Sequence, residues 1–294
     1  MISKAILVSI CCVTYNHEKH IIKCLDGFVM QKTDFAFEIL VHEDASTDST
    51  AQILREYEIK YPELFKCVYQ TENQFLKQNT LVNILFKMAK GKYLALCEGD
   101  DYWSDPYKLQ KQVDFMEQNI DYSMCFHNAT ESLNSMLIKE TYGAHINKQI
   151  LSLEDFMFKH IVPTASILFR NNIDFPDWTN KVTSGDKLIV FLNATRGKIY
   201  YMYEVMSHYN VNDEGVSRSL DHKGLNKVYN MAYLLVKFDE YTNFEYTDIL
   251  KKGLQYEIGV HILDPYRKEL KTKLLIKEIF TRILIKYFKY KRKS

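Results

Sequence analysis

The first hundred residues switch repeatedly between two hydrophobic periods, and this alternation restricts the fold more than any other feature of the chain. Residues 5–13 form a short continuous apolar run, the pattern of a strand covered on both faces. Ile21, Ile22, Leu25, Phe28 and Val29 then recur at helical spacing, with Asn16 placed to cap that helix. Residues 37–41 predict a second strand. Ile53, Leu54 and Tyr57 predict a second helix, capped by Asp48 or Ser49 and stopped near Pro62. A strand over 65–69, a helix over 81–88 and a strand over 93–97 continue the series. Strands alternating with helices require right-handed crossovers, so the expected class is α/β with a mostly parallel central sheet flanked by helices.

The pattern persists less regularly downstream. Asp105-Pro106 reads as a helix start, with Leu109, Val113 and Met116 on one face. Strands are expected at 122–126, 164–169, 199–202 and 205–209, and Ser184-Gly185-Asp186 opens a helix over 187–195. Beyond residue 220 the pattern is helical. The expected organisation is one α/β domain over 1–217, with halves 1–101 and 102–217, and a helical C-terminal extension over 218–294.

Charge separates along this organisation. The formal net charge is only +1, yet residues 267–294 hold 11 Lys or Arg against 2 Glu. The other 266 residues hold 27 basic and 35 acidic groups, so an acidic body carries a basic tail. The near-zero net charge, taken alone, argues against a nucleic-acid partner. The six cysteines form no CxxC pair and sit mostly in apolar runs, which suits a reducing cytoplasm. The apolar start lacks a small-residue cleavage site and reads as a buried strand, not a signal peptide. No stretch reaches the roughly 18 uncharged apolar residues of a membrane span.

Open parallel sheets bind ligands outside the carboxyl ends of their strands. Four polar segments fall there: Thr14-Tyr15-Asn16, Glu43-Asp44 with Ser46 to Asp48, Thr71-Glu72-Asn73, and Glu98-Gly99-Asp100-Asp101. Helix capping accounts for the second. It does not account for the fourth, because neighbouring carboxylates repel unless a cation or solvent separates them.

The segments VSICCVTYNHEKHIIKCLDGF, EILVHEDASTDST, AKGKYLALCEGDDYWSDPYKLQKQVDF and SGDKLIVFLNATRGKIYYMYEVMSHYNV occur in this order. Together, over residues 7–217, they resemble the family-2 glycosyltransferases, inverting enzymes of the Rossmann-like GT-A fold. The resemblance implies transfer of a hexose or N-acetylhexosamine from a nucleoside-diphosphate sugar, usually a UDP-sugar, to an acceptor hydroxyl with Mg²⁺ or Mn²⁺. Glu98-Gly99-Asp100 takes the family's DxD position, making Asp100 the implied metal ligand, Glu98 a neighbour of the ribose or metal-bound water, and Asp101 a further candidate ligand. Asp44 falls where a carboxylate accepts the uracil imide N–H. Thr14, Tyr15 and Asn16 fall at the nucleotide, and Glu43 stands where an aspartate is usual. Asp186 matches the general base, at a helix N-terminus whose free N–H groups suit an anion. Trp103 is a candidate platform for an acceptor sugar.

Two departures bear on the diphosphate. Where relatives carry an Arg and a His after the last strand, this chain has Asn210 and Asn212, and Val82 replaces a basic residue before Asn83. A catalytically inactive nucleotide- or glycan-binding relative is therefore the alternative. A nucleotidyltransferase is disfavoured because Gly27 is the only glycine before residue 91, leaving no loop to cradle a triphosphate. A glycosidase would have no use for Asp44 or a metal. The resemblance also implies surface-polysaccharide synthesis on a glycan or lipid-linked acceptor. It suits a cytoplasmic protein whose basic amphipathic tail contacts the inner face of the plasma membrane.

Overall fold

The computed structural model describes residues 5–75, 81–133, 136–143, 145–158, 162–211 and 224–259. The basic segment 267–294 and Asn212 lie outside the described residues. The chain divides into two compact units, with the boundary between Asp213 and Glu214.

The first unit opens with β1 (Ile6–Thr14), α1 (Ile21–Val29), β2 (Ala36–Glu43), α2 (Thr50–Lys60) and β3 (Phe65–Tyr69). A π-helical turn (Leu81–Leu85) runs into α3 (Phe86–Met88), followed by β4 (Tyr93–Leu96) and the short β5 (Tyr102–Trp103). Then come α4 (Lys108–Gln118), β6 (Tyr122–Leu133), β7 (Met136–Lys139), β8 (Ile150–Leu151), α5 (Leu153–Met157), β9 (Leu168–Arg170), α6 (Gly185–Ala194) and β10 (Lys198–Val211). Among the described residues the strands form one sheet in the order β3-β2-β1-β4-β9-β6-β10-β5, with β7 beside β6 and β8 beside β10. β3, β2, β1 and β4 are parallel, as are β6 and β10; β9 runs antiparallel between the two sets. This is the expected mixed α/β architecture of a mostly parallel sheet flanked by helices.

Packing explains the order. Val8, Ile10 and Cys12 point to one face of β1 and Cys11 to the other, all buried, so β1 is central. Ile21, Cys24, Leu25 and Phe28 of α1 cover that sheet, each such side chain stabilising the fold by about 1.5–3 kcal/mol. Gly27 allows α1 to lie against β5: a Cβ there would stand 2.9 Å from the Trp103 carbonyl oxygen. Arg170 ties β9 to the next layer, donating to the carbonyls of Tyr122 at 2.8 Å and Met116 at 2.7 Å.

Several local expectations give way to longer-range contacts. Asn16 does not cap α1, which starts five residues later; it sits at φ 54° and bridges to the next loop. Ile22, expected on the inner stripe, is exposed. Residues 164–166 form a 3-10 turn, and the strand starts only at Leu168. The strands expected at 199–202 and 205–209 are one element, β10, interrupted by register shifts against β6.

In the second unit, α7 (Gly224–Tyr241) and α8 (Thr247–Ile258) follow one another through a turn with Asn243 and Phe244 at positive φ. Val228 and Ile258 are buried together with Leu254 against them, and the Thr247 hydroxyl hydrogen-bonds the buried Asp239 carboxylate. No described helix is long and apolar enough to cross a membrane.

Candidate active site

The acid turn after β4 is suspended from β1. Cys97 N–H donates to the Cys11 carbonyl at 3.3 Å and Gly99 N–H to that of Val13 at 3.0 Å, extending the parallel ladder past the strand end. Gly99 is required by close approach: a Cβ would lie 2.5 Å from Thr14 Oγ1 and 2.8 Å from His17 Nδ1. Asp101 N–H closes the turn onto the Glu98 carbonyl at 3.0 Å. Three carboxylates within four residues thereby gather at the carboxyl edge of the sheet.

Their electrostatics are unfavourable as they stand. Burial, then Asp100 and Asp186, push Glu98 up to about 8. Asp101 is 1% exposed and is raised well above the carboxylate range by burial and by Asp100 and Glu98. Its Oδ1 accepts the Asn210 N–H at 2.8 Å, while its Oδ2 is buried with no hydrogen-bond partner among the described residues. Asp186 lies in the first turn of α6 and is near enough to act electrostatically on Glu98 and on Tyr142. Residues separated by almost ninety positions thus share one field.

The remaining predicted residues divide into two groups. Thr14 is buried at the end of β1, its carbonyl accepting the Asp44 N–H at 3.0 Å. Asp44 Oδ1 accepts the Gln74 N–H at 2.7 Å, joining the ends of β1 and β2 to the segment after β3. Tyr15 is exposed. Asn16 Oδ1 accepts the Thr47 N–H at 2.8 Å, and the buried Glu43 accepts the Ser46 N–H at 2.7 Å. Asn16 and Glu43 thus brace the loops around the edge. Trp103 is not at the surface of the site: it is 1% exposed, its Nε1 donates to the Ala165 carbonyl at 2.8 Å, and Phe28 and Lys108 cover its ring. A sugar cannot stack on a ring enclosed in this way, so Trp103 is a core residue and not an acceptor platform.

Sequence reasoning passed over three residues here. His17 Nε2 stands 3.8 Å from Asp100 Oδ2, and its Nδ1 hydrogen-bonds Thr14 Oγ1 at 3.1 Å. Tyr142 and Tyr209 pack edge-on with centroids 5.8 Å apart; burial and nearby carboxylates raise both phenols, Asp186 acting on Tyr142 and Asp101 and Glu98 on Tyr209. His17 lay within the quoted TYNHEKH segment; the tyrosines carry no local signal.

The donor set suits a hard divalent cation. Its carboxylates offer oxygen alone, and it includes the Asp101 Oδ2, buried with no hydrogen-bond partner among the described residues. No three His, Cys, Asp or Glu side chains among the described residues converge into a complete cage. A hard divalent cation held here would rest on one or two carboxylates, with water or substrate oxygens completing its shell.

A mostly parallel α/β sheet with an acidic turn at its carboxyl edge is the architecture of the GT-A fold. A sequence profile described as "Glycosyl transferase family 2" matches residues 9–173, and the chain belongs to that family. The uncharacterised protein Rv1520 of Mycobacterium tuberculosis is 32% identical over 212 residues, 72% of this chain and 61% of that protein. The chain thus spans about three fifths of the length of such relatives. Among solved structures, Staphylococcus aureus TarS 1–349 in complex with UDP-GlcNAc superposes with a TM-score of 0.68 at 18% identity, covering 91% of this chain and 77% of TarS 1–349. The mannosyltransferase PcManGT of Pyrobaculum calidifontis, in complex with GDP-Man and Mn²⁺, gives 0.56 at 16% identity, covering 85% and 69%. At these identities the likeness concerns the fold.

Proposed function

We propose that the chain is an inverting, metal-dependent glycosyltransferase that moves a hexose or N-acetylhexosamine from a UDP-sugar to an acceptor hydroxyl. The observation that carries this reading is the crowded acid turn, with its unpartnered buried Asp101 Oδ2, facing Asp186. Asp100, with Asp101 beside it, would hold Mg²⁺ or Mn²⁺, which supplies charge neutralisation for the departing diphosphate. Asp44 orients the uracil ring, Thr14 and Tyr15 line the nucleotide, Asn16 and Glu43 hold their loops in register, and Glu98 faces the ribose side. Asp186 accepts the acceptor proton as its oxygen attacks the anomeric carbon opposite the leaving group. Catalysis resides in residues 1–217, with 218–294 as a C-terminal extension.

A role in building surface polysaccharide, on a glycan or lipid-linked acceptor, is supported by relatives such as the S. aureus poly(ribitol-phosphate) β-N-acetylglucosaminyltransferase TarS, 27% identical over 203 residues. Work at the cytoplasmic membrane face would use the basic segment 267–294; sedimentation with anionic liposomes, lost on its removal, tests that contact. The function itself is tested by thermal stabilisation and slow donor hydrolysis with UDP-, GDP- and dTDP-sugars, with and without Mn²⁺. Metal-dependent binding of a UDP-sugar is expected. Binding without hydrolysis would favour the inactive relative, and no response to any donor would overturn both readings.

A further inference from the structure

Asn210 stands where relatives offer the diphosphate a cation, and its side chain is used differently. Its Nδ2 donates to the Asp100 carbonyl at 2.7 Å while its backbone N–H donates to Asp101 Oδ1 at 2.8 Å. One residue at the end of β10 therefore grips two successive members of the acid turn. We infer that Asn210 is a positioning residue that clamps the turn for metal-dependent donor binding, and that Ser132, His208 and Thr130 hold its amide in the working orientation. The inference rests on the proposed donor site.

The chain of bonds has one consistent direction. The Asp100 carbonyl can only accept, so the NH₂ end of the Asn210 amide must face it and Oδ1 must face Ser132. Ser132 Oγ–H donates to that Oδ1 at 2.6 Å, which leaves Ser132 Oγ to accept from His208 Nε2–H at 2.8 Å. A neutral His208 protonated at Nε2 then accepts at Nδ1 from the Thr130 hydroxyl. Each link in the series has a donor on one side and an acceptor on the other. Register supports it, because β10 pairs with β6 at His208–Thr130 and Asn210–Ser132, and with β5 at His208–Tyr102. Tyr102, the residue after Asp101, stacks on the His208 ring with centroids 4.8 Å apart. The acid turn is thus held at its C-terminal end by β10, while its N-terminal end hangs from β1.

The exchange of a cation for an amide has a chemical consequence. An amide supplies no positive charge to phosphate, so this chain gives up that contribution and gains a fixed geometry for its carboxylates. Donor affinity should accordingly depend steeply on the divalent ion.

Asn210→Ala, Asn210→Asp and Ser132→Ala test the clamp, read by amide hydrogen exchange over residues 98–103 and 210 in metal-free protein and by calorimetric titration of UDP at a series of Mn²⁺ concentrations. All three variants keep the backbone bond to Asp101, and Ser132→Ala leaves Asn210 itself in place, which guards against a variant that fails to fold. Loss of one net hydrogen bond should speed exchange at Asp101 and raise the Mn²⁺ concentration for half-maximal UDP binding about tenfold in both Asn210 variants, and about threefold in Ser132→Ala. Excess Mn²⁺ should restore the same UDP stoichiometry. Unchanged exchange, or faster exchange with an unchanged Mn²⁺ requirement, overturns the inference. If wild-type protein binds no Mn²⁺–UDP, the proposed function fails and the exchange arm decides the clamp alone: protection lost only in the variants supports it, and equal protection overturns it.

Discussion

His17 and Asp100 face each other across the acid turn, Nε2 to Oδ2, at 3.8 Å, and the turn's only glycine is wrapped between them and Thr14. The glycine's hydrogen occupies the space that a methyl group would need. Gly99→Ala should therefore push the turn off β1, costing about 1–3 kcal/mol of stability by overpacking. Because Asp100 moves with it, Mn²⁺-dependent UDP binding should fall more than tenfold. Urea unfolding and calorimetry read the two effects separately. Wild-type affinity in a destabilised Gly99→Ala protein would show that the turn does not set donor binding.

Asp186→Asn separates binding from chemistry. The amide keeps the shape of the side chain in the first turn of α6 but cannot take a proton. Transfer should drop by about 10²–10⁴, the usual contribution of a general base, with UDP affinity within twofold of wild type. Single-turnover transfer and equilibrium binding on the same preparation check both. Equal losses in the two would make Asp186 a donor-binding residue.

How much of this could be read beforehand depended on the range of the interactions. β1, β2 and β4 were legible because each is a largely apolar run buried on both faces, β3 because its short, mostly apolar run follows the Pro62 stop although it lies half-buried at the sheet edge, and Glu98 to Asp101 because adjacent carboxylates conflict with any ordinary loop. Asn16 was misread as a cap because its left-handed conformation lets the side chain serve Thr47, thirty-one residues away. β10 was read as two strands because the register shifts near Val205 interrupt its alternation. Tyr142 and Tyr209 meet only through tertiary packing, and in a chain with 21 tyrosines nothing local marks them. Asn210 was visible as a departure from relatives, but the bonds that give it a use belong to three strands.

Trp103→Phe addresses the ring's role. The substitution removes the donor of a buried hydrogen bond, Nε1 to the Ala165 carbonyl at 2.8 Å, and weakens the contact of Lys108 with the ring. An unpaired buried acceptor costs about 1–3 kcal/mol, which should appear as a lower urea midpoint with an unchanged slope. The KM for acceptor should stay within twofold. A raised acceptor KM at unaltered stability would restore Trp103 to the acceptor surface.

Lys108 gives the clearest pH signature. Its amine is fully buried, lies 3.7 Å from the centroid of the Trp103 ring and has no hydrogen-bond partner among the described residues; burial pushes its pKa down to about 7. In the unfolded chain the amine titrates near the ordinary lysine value of about 10.4. Between these two values the unfolded state binds the extra proton, so this group's contribution makes stability rise as pH increases from about 7 towards 10. Below that window both states are protonated and the full cost of burying the charge remains. Lys108→Met fills a similar volume without a charge. It should stabilise the protein by about 2–4 kcal/mol at pH 6.5, and the gain should shrink steadily by pH 9.5. Urea unfolding of both proteins at the two pH values measures the difference directly, cancelling every other titrating group. A gain independent of pH would mean that Lys108 stays charged in the fold, held by the face of Trp103.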